Sequence, residues 1–136
     1  MLRIFRSIAA VILGYATIAV GATVFQTLLF GGITYWDSPW LDLVNGGGLT
    51  ALSAVAGGYL LAVVAPFRPM LHAIPLVLWL SFETTVIYLT DITAGPLWFD
   101  MVSGSSLVVG VLIGAFAYTR LGSTSMQHGE AEPPAS

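Results

Sequence analysis

Glu83 is the first residue that demands a chemical account. It is the sole Asp, Glu, Lys or Arg in the apolar stretch between Arg68 and Asp91, about two-thirds of the way along it. A carboxyl group at membrane depth is costly and usually faces a bundle interior, where it marks an ion or proton path. Gln26 stands at a similar depth in an earlier apolar run. Asp42, Asn45, Asp91, Asp100, Ser103, Ser105 and Ser106 gather near the same ends of other runs. An inward-facing set of oxygens made of Glu83, Gln26, Asp42, Asp100 and Asn45 could hold a hard cation or a proton.

Structural roles compete with that reading. Asp42 and Asp100 fall in expected first helical turns, where the helix dipole favours an anion, and a hydrogen bond from Glu83 to Gln26, Thr84 or Ser53 would simply hold helices together. No spacing among these residues resembles a known metal-binding loop, so no metal or cofactor is expected. His72 lies eleven residues from Glu83 on the same helix face, but the axial separation is roughly 16 Å. Beside Arg68 it reads as an inner-face group directed at cytoplasm or headgroups. His128 carries no signal.

These side chains are carried by four apolar runs: Ser7 to Phe30, Leu43 to Ala65, Met70 to Thr90, and Leu97 to Thr119. A hydrocarbon core of about 30 Å needs roughly 20 apolar residues as helix. The expected fold is therefore all-α, a four-helix transmembrane bundle over residues 1–121. At 57% hydrophobic and 8% charged residues, the chain has no room for a soluble domain beside the spans. The segment Gly122 to Ser136, rich in Ser, Gly, Glu and Pro, is expected to be a disordered tail.

The only basic residues besides histidine are Arg3, Arg6, Arg68 and Arg120. Arginine near span ends is retained in the cytoplasm, and all four agree on one topology with both termini inside. The opposite connections hold Asp37, Asp42, Asp91 and Asp100 beside Trp36, Trp40 and Trp98, residues suited to a headgroup belt. The first run also resembles a signal peptide, with small residues near Ala19 to Ala22. It continues to Phe30, past the 7 to 15 residues of a typical signal core, and is read as an uncleaved anchor.

The chain repeats itself. Trp40-Leu41-Asp42-Leu43-Val44-Asn45-Gly46-Gly47-Gly48-Leu49 matches Trp98-Phe99-Asp100-Met101-Val102-Ser103-Gly104-Ser105-Ser106-Leu107. Ile33-Thr34 and Pro39 find counterparts in Ile92-Thr93 and Pro96. Spans 1 and 2 thus read as one hairpin and spans 3 and 4 as its copy, related by an axis along the membrane normal. The outer ends of spans 2 and 4 should then face each other or sit at equivalent positions. Pro39 and Pro96 suit a first helical turn, with Ser38 or Gly95 as cap.

Lipid gives helices no hydrophobic reason to associate, so small residues that let backbones approach must contribute. Such stripes run along span 1 (Ala10, Gly14, Thr17, Gly21), span 2 (Thr50, Ser53, Ala54, Gly57, Gly58) and span 4 (Ser103, Gly110, Gly114). Span 3 has none and carries Pro75, which removes a helical hydrogen bond and should bend it.

Cysteine and lysine are absent, which removes disulfides, thiol nucleophiles and Schiff bases. There is no Gly-rich phosphate loop, and the topology separates His72 from the acids, so no enzyme is expected. No basic face exists to neutralise phosphates, and nucleic acid is not an expected partner.

The segment Ala56-Gly57-Gly58-Tyr59-Leu60, followed by Ala65-Pro66 and Arg68-Pro69-Met70-Leu71-His72-Ala73, resembles the span 2 to span 3 junction of a group of small four-span bacterial membrane proteins. That resemblance implies an inner (plasma) membrane location and no activity. The expected role is a non-enzymatic accessory subunit of a membrane complex or a self-associating bundle, with lipid and other transmembrane helices as partners. The alternative is a minimal cation or proton transporter or channel using Glu83 and the outer-face aspartates.

Overall fold

Each apolar run becomes one long helix, because a backbone in hydrocarbon must satisfy its own hydrogen bonds within the segment. The computed structural model describes the backbone of residues 2–90 and 96–129, and side chains among these up to residue 121. Helix α1 spans Leu2–Thr23 and passes into a π-helical segment, Val24–Leu29; α2 spans Trp40–Val64, α3 Pro69–Thr90 and α4 Leu97–Gly129. All four are long and apolar enough to cross a membrane. The chain is an all-α four-helix bundle of a small integral membrane protein.

The elements extend the expected spans at several ends. Helix α1 begins at Leu2, so Arg3 and Arg6 are helical, and α2 begins at Trp40. Ser38 does not cap α2. Pro39 occupies that position without a side-chain cap bond, while Ser38 Oγ accepts the Thr34 N–H at 2.9 Å and closes the preceding turn. Helix backbone continues to Gly129, past the start of the expected tail. Asp91, Ile92, Thr93, Gly95 and residues 130–136 lie outside the described residues.

Helix α2 is the centre of the packing. It makes its most extensive contact with α4 and the next with α1; α3 packs mainly on α4 and only lightly on α1, and α1 and α4 do not meet. The small-residue stripes explain the order. A Cβ on Gly57 would lie 2.6 Å from the Gly14 carbonyl, and one on Gly14 3.1 Å from the Gly57 carbonyl, so the α1–α2 seam is backbone against backbone. In the α2–α4 seam a Cβ on Gly58 would strike the Val111 backbone, and one on Gly114 the Val55 carbonyl. Leu61, Leu76 and Val111 fill the core between them.

The hairpins pack in parallel ways. Gly46 and Gly104, equivalent in the repeat, are both buried, and a Cβ on either would strike its hairpin partner, Ile33 in the first and Thr84 in the second. At the Trp40 end α2 and α4 splay, and Trp40, Val44 and Gly48 share a cleft with Trp98, Val102 and Ser106, each pair at the repeat offset. The copies are not identical in setting, since α3 touches α2 whereas α1 does not touch α4.

All four arginines belong to one end of the bundle. Arg6 Nη2 donates to the Val64 carbonyl at 3.4 Å, joining the start of α1 to the end of α2, next to Arg68 in the α2–α3 turn. Arg120 lies on the last turns of the α4 span, its guanidinium 4.9 Å from the Phe116 ring centre. The acidic, tryptophan-bearing connection is at the far end.

Candidate functional site

Glu83 finds its partner on α1. Tyr15 Oη donates to the carboxylate, 3.2 Å from Oε1 and 3.4 Å from Oε2. The two residues meet because α1 and α3 run the same way and they stand at nearly equal heights, 13 residues from Leu2 and 14 from Pro69. Trp79, one turn before Glu83, sets its ring edge-on to Tyr15 at 6.4 Å. Both Tyr15 and Glu83 are half-buried, in the lightly packed α1–α3 seam.

None of the expected partners of Glu83 reaches it. Gln26 Nε2 donates instead to Thr50 Oγ1 at 3.1 Å, and Thr84 and Ser53 bond to carbonyls of their own helices, Leu80 and Leu49. Hydroxyls in a span have a carbonyl four residues back within reach, and that local bond wins. Tyr15 has no such option, because its hydroxyl extends beyond its own helix. Sequence reasoning missed Tyr15, although equal height on a parallel span was available as a signal.

The π-helical segment aims Gln26. A π turn inserts an extra residue into the helical pitch and is frequent at functional sites. Gly31 and Gly32, with φ of 68° and 98°, return their N–H groups to the carbonyls of Thr27 and Gln26 at 3.1 and 2.8 Å. Gln26 thereby bridges the end of the first span to buried Thr50 on α2, whose own hydroxyl donates to Gly46 at 2.8 Å.

This bridge lies on a cavity of about 390 Å³ at the acidic end. Its polar lining comes from Gln26, Thr34, Thr50, Thr84, Asp100, Ser103 and Ser106, and Tyr35 and Phe99 add aromatic rings. Tyr35 ties the first connection to α4 through ring contacts with Trp98 at 5.7 Å and Phe99 at 5.1 Å.

The oxygens expected to form one cluster are thus divided. Gln26 and Asp100 share the cavity; Glu83 belongs to the α1–α3 seam, one residue and a third of a turn away from Thr84 on the cavity wall. Asn45 is exposed, on a separate shallow face with Phe30, Val44 and Leu52. Asp42 is half-buried and not on the cavity wall. The cause is helical rotation: residues three apart, such as Asp42 and Asn45, keep a face, but that face is not the one α2 turns toward α3. Among the described residues no three His, Cys, Asp or Glu side chains are grouped as metal ligands.

His72 is buried rather than turned to cytoplasm or headgroups. Its ring lies between α1 and the α2–α3 turn, Nε2 3.0 Å from Ser7 Oγ and Nδ1 3.4 Å from the Arg68 carbonyl, with Phe67 edge-on at 5.0 Å. The Ser7 hydroxyl, which also reaches the Arg3 carbonyl, can donate or accept, whereas the Arg68 carbonyl can only accept. Arg68 itself has a φ of 39°, uncommon for a residue with a side chain, and this conformation, between Pro66 and Pro69, presents its carbonyl to the ring. His72 is a clamp at the arginine-bearing end, at the opposite end of α3 from the cavity. Every buried side-chain nitrogen and oxygen among the described residues has a hydrogen-bond partner.

No protein-family model matches the chain, and no curated protein or solved structure is detectably similar to it.

Proposed function

We propose that the protein is a non-enzymatic component of the bacterial inner membrane, either an accessory subunit of a larger membrane complex or a self-associating bundle, with both termini in the cytoplasm. The observation that carries this reading is the Tyr15–Glu83 pair. The small-residue stripes are used up inside the chain, but the α1–α3 flank is closed only lightly, and it holds a half-buried carboxyl at membrane depth. A polar group there is less costly when a neighbouring transmembrane helix covers it.

Cross-linking in native membranes, followed by native electrophoresis in mild detergent, tests the reading. We expect a species larger than the 14.4 kDa chain, lost in Glu83→Ala. A stable monomer that captures nothing would sink it.

A minimal cation or proton transporter or channel is the second reading, favoured by the intramembrane acid. The division of Glu83 from Asp100 gives it less support, because a path would have to pass from the seam to the cavity or use a second copy. In reconstituted vesicles Glu83→Gln should abolish flux; unchanged flux would remove Glu83 from any such mechanism.

A further inference from the structure

The cavity at the acidic end does not stop at its polar wall. Tyr35, Leu43, Gly47, Phe99, Ser103 and Ser106 line both it and the cleft between α2 and α4, a space of about 570 Å³. The cleft is apolar, walled by Val44, Ala51 and Val102 with Trp40 and Trp98 at its rim. One lobe therefore offers a carboxylate, an amide and hydroxyls, and the adjoining lobe offers hydrocarbon and aromatic surface. Volumes of this order are those of small-molecule sites.

Charge selects the ligand. Every arginine lies at the opposite end of the bundle, and the chain has no lysine. Among the described residues the cavity wall has one carboxyl group, Asp100, and two rings, Tyr35 and Phe99, and carboxylate with aromatic rings is the recognition chemistry of an ammonium group. An anion would meet no positive side chain there. The floor is made of helix without side chains: a Cβ added to Gly47 or Gly48 would meet nothing within 4 Å, although every other glycine of α2 is packed against a neighbour.

We propose that the joined cavity and cleft bind a single-chain amphipathic cation, its ammonium group beside Asp100, Tyr35 and Phe99 and its apolar chain along Gly47 and Gly48 between α2 and α4. This site is separate from the Tyr15–Glu83 seam, and neither reading depends on the other.

The test uses the full chain in nanodiscs of a neutral glycolipid, which carries no ammonium group, and a bromoalkyl trimethylammonium probe, with the alcohol of the same bromoalkyl chain as its neutral match. Bromine quenches nearby tryptophan, so a variant retaining Trp98 alone reports the cleft and one retaining Trp79 alone reports partition into lipid. We expect saturable quenching of Trp98, not of Trp79, by the cation, and binding of the alcohol weaker by at least about tenfold. Asp100→Asn should weaken the cation by a similar factor and leave the alcohol unchanged. Gly47→Leu, which has open space to occupy and no packing to break, should abolish saturable quenching by both probes. Competition from a single-chain ammonium lipid doped into the nanodisc supports the site, and no competition counts against it. Equal affinity for cation and alcohol, quenching without saturation, or unchanged binding in Gly47→Leu or Asp100→Asn would overturn the proposal.

Discussion

A hydroxyl on a parallel helix is what makes a carboxyl group tolerable at the height of Glu83, and the strength of that bond can be measured. Interhelical hydrogen bonds in membranes average about 0.6 kcal/mol and reach about 1.7 kcal/mol. A double-mutant cycle of Tyr15→Phe and Glu83→Ala, read by reversible unfolding in bicelles, should return a coupling in that range; a coupling of zero would mean the pair is not formed. The glycines supply a contrast at the same scale. Gly58 abuts the Val111 backbone, which has no rotamer with which to yield, so Gly58→Leu should destabilise by about 1–3 kcal/mol or more. Gly48 has open space around it, and Gly48→Ala should stabilise α2 by about 0.5–1 kcal/mol.

The π-helical segment Val24–Leu29 sets the direction of the whole first connection. One residue fewer would restore α pitch and change the direction in which Gln26 leaves the axis, away from Thr50. In a chain without cysteine, Gln26→Cys with Thr50→Cys can be bridged by a short bis-maleimide. We expect efficient bridging in the full-length sequence and none after deletion of Phe25. Bridging that survives the deletion would show that Gln26 is aimed by the connection Phe30–Pro39 and not by the π turn.

For the molecule as a whole, segregation of charge fixes how it sits in the bilayer. Arginines at one end and aspartates with tryptophans at the other predict a single orientation. Asp37→Cys on the acidic connection and Phe67→Cys in the α2–α3 turn are both exposed sites. A membrane-impermeant maleimide should label the first in intact cells and the second only after permeabilisation; the reverse pattern would invert the topology.

The number of the helices and the core of each span were legible in the sequence, because hydrocarbon enforces long apolar segments wherever polar groups are excluded; α1, α2 and α4 run past the expected ends. Small-residue stripes were legible for the same reason: Gly14, Gly57, Gly58, Gly110 and Gly114 all lie where backbones touch. The repeat also anticipated that Trp40 and Trp98 ends would share a cleft. Which polar groups meet was decided only by the tertiary structure. Composition placed Glu83, Gln26 and the aspartates in one half of the bundle, but a helix distributes its residues around an axis, and height alone does not choose a face. Rotation of α3 sent Glu83 to Tyr15, the π turn sent Gln26 to Thr50, and the fold of the Arg68 turn drew His72 inward. The sequence by itself determined a four-span bundle with an acidic and a basic end; the relative rotation of its helices, set by close packing at glycine, determined the sites.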